Sequence, residues 1–206
     1  MKYNELRKNL EAPIFSQQDL RLRNLKVFAC QLSIWQKKSY ILKLRSGVYA
    51  FSDLIKGFYP EEAASFIYSP SYVSLEKALS IYGLIPEMVY GITCVTTKAN
   101  RVFTNKLGSF SFRHLKPGLF FGYQAAKGEK YSYLLAEAEK ALLDFIYLNL
   151  DQIKNPEDLK ELRLNFAAIR KNLASVKLKE YLKRFKNKKM SKIVSFILGE
   201  EEYVKF

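Results

Sequence analysis

The chain has 206 residues, with 34 Lys and Arg against 20 Asp and Glu, a formal net charge of +14, and 49% hydrophobic residues. That length suits one large domain or two small ones, and with 15% aromatic residues the chain can bury a core, which excludes a disordered basic tail. The charge excess calls for an anionic partner, either nucleic acid or an anionic membrane surface.

No run approaches the roughly 18–20 apolar residues of a membrane span. The start, MKYNELRKNLEAP, lacks the apolar stretch of a secretory signal, so a cytoplasmic protein is expected. Two cysteines, Cys30 and Cys94, form no CxxC half-site and read as buried thiols. A single histidine, His114, rules out histidine-rich metal sites and leaves at most one imidazole for a catalytic triad. Residues 1–69 carry 11 basic and 6 acidic side chains, 70–150 carry 9 and 6, and 151–206 carry 14 and 8, so the excess is concentrated at the two ends.

Tyr3, Leu6 and Leu10 make one apolar helical stripe that Pro13 stops. Ser16, with Asp19 three residues on, predicts the capped start of a short helix. Asn24 is a candidate cap for a third helix, with Leu25, Phe28, Leu32 and Trp35 on its inner side and Lys26, Cys30, Ser33 and Lys37 on its outer side. YILKL (40–44) and GVYAF (47–51) then read as a hairpin joined at Arg45-Ser46-Gly47. Three helices and a hairpin are the order of a winged helix-turn-helix, a DNA-reading arrangement. Trp35 and its neighbours must face the core, which leaves Lys26, Ser33, Gln36, Lys37 and Lys38 for base edges and phosphates, and Lys43 and Arg45 on the wing for backbone or minor groove.

Helices are expected over 61–68 and 74–83, the second capped by Ser74 with Glu76 in its first turn and stopped by Gly83. Strand-like stretches follow at 91–97, 101–105, 108–115, 118–123 and 131–136, with Phe110, Phe112 and His114 alternating against Ser109, Ser111 and Arg113. Thr96-Thr97-Lys98 and Asn105-Lys106 are either anion contacts or ordinary loop residues. Residues 136–150 read as a strong helix, and further helices are expected around 156–172, 177–186 and 189–198.

The expected fold is α+β: an N-terminal winged helix-turn-helix over 1–68, then, over 69–206, an antiparallel sheet with packed helices and a helical C-terminal tail. Glu137 and Asp144 share a helix face, as two carboxylates do in some metal nucleases, with Glu139 offset. No third ligand follows at an informative spacing, and helix-terminal charge with local pairing of Lys140 accounts for them more simply. No enzyme activity, cofactor or metal is therefore expected. In the tail, Lys179, Lys183, Arg184, Lys186, Lys188 and Lys189 form either a solvated face, a second polyanion-binding surface, or the polar side of an amphipathic membrane helix, the last disfavoured by the wing.

The strings YSPSYVSLEKALSIYGLIPE (68–87), ITCVTTKANRVFTNKLGSFSFRHLKPGLFFGY (92–123) and AEAEKALLDFIYL (136–148) resemble the AbiEi family of antitoxins from type IV toxin-antitoxin systems, and LKLRSGVYAF (42–51) matches the wing that ends the family's first module. The resemblance implies double-stranded DNA as one partner, bound at inverted repeats in the promoter of the protein's own operon and thereby repressed. It implies as the other partner a nucleotidyltransferase-like toxin of the AbiEii type, neutralised without a stable complex being required. The rival expectation is a stand-alone winged-helix regulator whose second domain senses a small ligand.

Overall fold

The computed structural model describes residues 1–200. Its first unit runs α1 (Tyr3–Asn9), β1 (Ile14–Ser16), α2 (Gln17–Leu22), α3 (Ala29–Lys37), β2 (Ile41–Arg45) and β3 (Val48–Phe51). The strands form an antiparallel three-stranded sheet in the order β1-β3-β2. Gly47, at φ +76°, takes the left-handed turn conformation between β2 and β3. The expected capping box is present at α2: Ser16 Oγ accepts the Asp19 N–H at 3.1 Å, and the Asp19 carboxylate accepts the Ser16 N–H at 2.6 Å. Leu6, Leu10, Phe15, Leu20, Leu32, Trp35, Ile41, Tyr49 and Phe51 bury themselves together as this unit's own core.

The third helix starts later than the sequence pattern suggests. Asn24 caps nothing; at φ 54° it closes the turn after α2, a conformation that asparagine tolerates better than most residues. Residues 25–28 are a linker, and Gln31 Oε1 accepts the Phe28 N–H at 2.9 Å where α3 begins. Phe28 is consequently 65% exposed instead of lying on the inner stripe, which is carried by Leu32 and Trp35. Cys30 is exposed, contrary to the buried-thiol reading, while Cys94 is buried.

The second unit follows as α4 (Pro60–Ile67), β4 (Ser71–Val73), α5 (Leu75–Ile81), β5 (Ile92–Thr96), β6 (Arg101–Asn105), β7 (Gly108–His114), β8 (Tyr123–Lys127), β9 (Ser132–Ala136) and α6 (Ala138–Leu148). Its six strands lie in the order β6-β7-β5-β4-β9-β8. The sheet is mixed and not antiparallel: β5 runs parallel to β7 and β4 parallel to β9, while the β6–β7, β4–β5 and β8–β9 pairs are antiparallel. Alternation along a strand fixes which side chains face the core but carries no information about the direction of its neighbour. The three-residue β4, at the centre of the sheet, is too short to show any alternation.

The tail contributes α7 (Pro156–Glu161), α8 (Phe166–Asn172), α9 (Ser175–Phe185) and α10 (Lys188–Leu198). The helix expected across 156–172 is two helices, interrupted where Arg163 adopts φ 56° and restarted where Asn165 Oδ1 accepts the Ala168 N–H at 3.0 Å. Leu178, Phe185, Met190, Ile193, Val194 and Ile197 join the main core, so α9 and α10 are packed helices. The same core includes Ile14, Leu44, Val48 and Ala50 from the small sheet and Ala63, Ala64 and Ile67 from α4, which seals one face of the first unit against the second. Asn105 Nδ2 donates to the Leu44 carbonyl at 3.1 Å across this junction.

One buried carboxylate holds a loop of the second unit. Glu62 on α4 is fully buried and accepts main-chain N–H groups from Tyr59 at 3.0 Å, Glu129 at 2.8 Å and Tyr131 at 2.7 Å. A Cβ at Gly128 would stand 2.3 Å from the Tyr131 carbonyl oxygen and 2.6 Å from the Glu62 side chain. Gly128→Ala is expected to destabilise the chain by about 1–3 kcal/mol through overpacking. Thermal melting measures this, and an unchanged midpoint would contradict the close packing around Glu62.

Candidate nucleic-acid interface

The inward packing of Leu32 and Trp35 leaves Cys30, Ser33, Ile34 and Lys37 exposed on α3. Lys38 follows the helix, its Nζ 6.0 Å from the Tyr40 ring centroid. Lys26 is exposed too, but on the linker ahead of α3 and not on the helix. Gln36 donates from Nε2 to the Leu32 carbonyl at 3.1 Å, which holds the side chain along the helix.

Gln36 and Lys43 line one groove of about 670 Å³ together with Lys56, Thr104, Asn105 and Lys106. Three lysines from three places in the chain, β2, the loop after β3 and the β6–β7 turn, thus converge beside α3. Lys56 carried no signal in the sequence; it belongs to no periodic face, and only the path of the chain after β3 brings it to the groove. For Lys106 the sequence leaves open an anion contact or an ordinary loop residue, and its place beside Gln36 and Lys43 comes from the fold.

Arg45 does not join this groove. Its Nε donates to the Ile67 carbonyl and its Nη1 to the Ser46 carbonyl at 2.8 Å, so the guanidinium is turned to the end of α4. The β2–β3 register shifts between Lys43 and Arg45, and such an irregularity removes the parity that would put residues two apart on one face.

The tail cations divide in a similar way. Lys179 pairs with Glu200 at 2.7 Å, Lys189 Nζ donates to the Leu150 carbonyl at 2.9 Å, and the Arg184 guanidinium lies 3.9 Å from the Phe121 ring centroid. Lys183, Lys186 and Lys188 are exposed.

The carboxylates of α6 are separated by their partners. Asp144 is fully buried, ion-paired with the fully buried Lys140, and accepts the Tyr72 hydroxyl at 2.8 Å and the Ser74 hydroxyl at 3.0 Å. Ser74 stands at the N-terminus of α5 as expected, but its hydroxyl serves Asp144 and not the helix end. Burial pushes the Asp144 carboxyl up, opposed by Lys140, Tyr72 and Ser74, and burial pulls the Lys140 ammonium down, opposed by Asp144. Glu137 instead meets Lys177 at 3.0 Å and the Tyr181 hydroxyl, and Glu139 accepts the Ala174 N–H at 3.1 Å. Burial raises the Glu137 carboxyl, and its bonds to Tyr181 and Lys177 outweigh that to hold it below the ordinary range. Among the described residues no group of three His, Cys, Asp or Glu side chains is placed to hold a metal ion.

His114 is exposed, with Nδ1 3.0 Å from the Lys98 carbonyl oxygen. No helix among the described residues is long and apolar enough to cross a membrane. The chain matches no protein-family model and no curated protein.

Proposed function

We propose that this protein is a cytoplasmic DNA-binding antitoxin and transcriptional autorepressor, with a winged helix-turn-helix as its reading unit and no enzymatic activity of its own. The observation that carries the DNA-binding part is the groove in which Gln36 on α3 meets Lys43, Lys56 and Lys106. Polar and cationic groups presented beside an exposed helix face suit a duplex, whose base edges lie in the major groove and whose phosphates flank it. The element order α1-β1-α2-α3-β2-β3 and the sheet order β1-β3-β2 support a winged reading unit, with β2–β3 as the wing.

Lys37, Lys43, Lys56 and Lys106 are the phosphate contacts in this reading, Lys26 and Lys38 flank them, and Ser33 and Gln36 face base edges. Arg45 is a junction residue. Each phosphate contact releases counterions and contributes about 0.9 to the slope of log binding constant against log salt. The double substitution Lys43→Ala with Lys106→Ala is expected to weaken duplex binding and to lower that slope by about 2, whereas Arg45→Ala leaves it unchanged. Fluorescence anisotropy across a salt series measures both. An unaltered slope in the double variant would remove the groove from the interface.

The antitoxin role rests on the resemblance of residues 68–148 to the AbiEi family, and with it the inverted-repeat operator and the nucleotidyltransferase-like toxin. Co-expression with a toxin encoded beside it should restore growth. Continued arrest, with the antitoxin folded and abundant, would leave a stand-alone regulator as the better description.

A further inference from the structure

A second concave site lies on the other flank of the hairpin, at the junction of the two units. The cleft measures about 790 Å³, within the range of roughly 300–1,000 Å³ typical of small-ligand pockets. One wall is the β1–α2 corner with the β2–β3 turn; the other is the end of α4, the segment after it and the β5–β6 region.

Three cations line it: Arg45, Lys98 and Arg101. None of them appears in an ion pair among the described residues. The bonds of Arg45 to Ile67 and Ser46 fix its guanidinium while leaving further N–H donors, and Lys98 Nζ rests 5.6 Å from the Tyr68 ring centroid. The one carboxylate in the lining is Asp19, which is engaged by the N–H and hydroxyl of Ser16 in the α2 capping box. The cleft is therefore cationic, with guanidinium and ammonium groups of the kind that bind phosphate oxygens.

Aromatic rings accompany these charges. Phe66 is 41% exposed and lines the cleft, in contrast to the buried Ala63, Ala64 and Ile67 on the same helix. Phe103, itself in the lining, packs against Tyr68 with ring centroids 5.8 Å apart. Ring faces and edges stack on planar heterocycles, and arginine and lysine take phosphates, so the two features together select a ligand that is both planar and phosphorylated.

We propose that the junction cleft binds a nucleoside phosphate, with the phosphates on Lys98, Arg101 and Arg45 and the base against Phe66 and Phe103. This site is separate from the duplex groove and does not depend on the DNA-binding reading. Because its walls come from both units, an occupant would bridge them.

Isothermal titration of the full-length protein with ATP, GTP, CTP and UTP, and with inorganic triphosphate and the free nucleosides as controls, tests the proposal. At least one nucleoside triphosphate is expected to bind more tightly than inorganic triphosphate. Lys98→Ala with Arg101→Ala, both at exposed positions, should weaken that binding tenfold or more while leaving the melting temperature unchanged. Phe66→Ala should weaken the nucleotide without affecting inorganic triphosphate. Equal binding of inorganic triphosphate, no binding of any nucleotide at millimolar concentration, or nucleotide binding unaltered in the folded double variant would each overturn the assignment.

Discussion

Asp144→Ala is expected to destabilise the protein by about 3–5 kcal/mol, because removing one partner of a buried ion pair leaves the other charge without compensation. Lys140 and Asp144 are both fully buried, and the network they form with Tyr72 and Ser74 ties α6 to the central strand β4 and to the start of α5. Without the carboxylate the Lys140 ammonium keeps only the Tyr72 hydroxyl at 3.0 Å and the ring faces of Phe121 at 4.9 Å and Phe185 at 5.3 Å, none of which carries a compensating charge. The same physics makes the pair replaceable. Lys140→Met combined with Asp144→Leu should recover most of the loss, since buried pairs exchanged for apolar residues of similar volume are often near neutral. Urea denaturation of the three variants checks this. A single substitution as mild as a surface change, or a double variant worse than either single, would contradict a structural role for the pair.

Trp35→Ala should cost about 3–5 kcal/mol, the usual range for deleting a buried large aromatic side chain. The loss falls on a core of nine buried residues, where Trp35 packs edge-on against Tyr3 with ring centroids 5.8 Å apart. Such a small core has little capacity to close around the space. Duplex binding is expected to disappear with the reading unit, while Trp35→Phe should retain most of it. Calorimetry paired with duplex binding distinguishes the outcomes. Full affinity in a stable Trp35→Ala variant would show that α3 does not depend on this contact.

Local chemistry was legible in the sequence. Ser16 with Asp19, the inward side of Leu32 and Trp35, the helical character of 136–150 and the pairing of Lys140 with a near neighbour all follow from spacings of three and four. The missing parts are long-range. The three-residue strands β1 and β4 have too little length to alternate, and the parallel pairing of β5 with β7 depends on where a distant segment returns. The hairpin position of Arg45 suggests a wing contact beside Lys43, but the register shifts between the two and the Arg45 guanidinium turns to the Ile67 carbonyl. The early start expected for α3 rested on Asn24 as a cap, when its left-handed backbone makes it a turn. Lys56 reaches the groove of Gln36 and Lys43 through the path of the chain alone, and the junction cleft, lined from β1, α2, the β2–β3 turn, α4 and β6, draws on no single stretch of sequence.

The orientation of α3 is the central claim, and the chain contains its own probe. Cys30 is exposed near the start of α3, whereas Cys94 is fully buried in β5, where desolvation raises its thiol well above the ordinary range and keeps it unreactive. A recognition helix places its N-terminal residues against base edges. The rate of Cys30 alkylation, followed by mass spectrometry of the intact protein with and without a saturating duplex from its own promoter, therefore reads out whether α3 enters the groove. The expected result is several-fold protection by the duplex, lost again at high salt. An alkylation rate unchanged by bound duplex would contradict α3 as the reading helix.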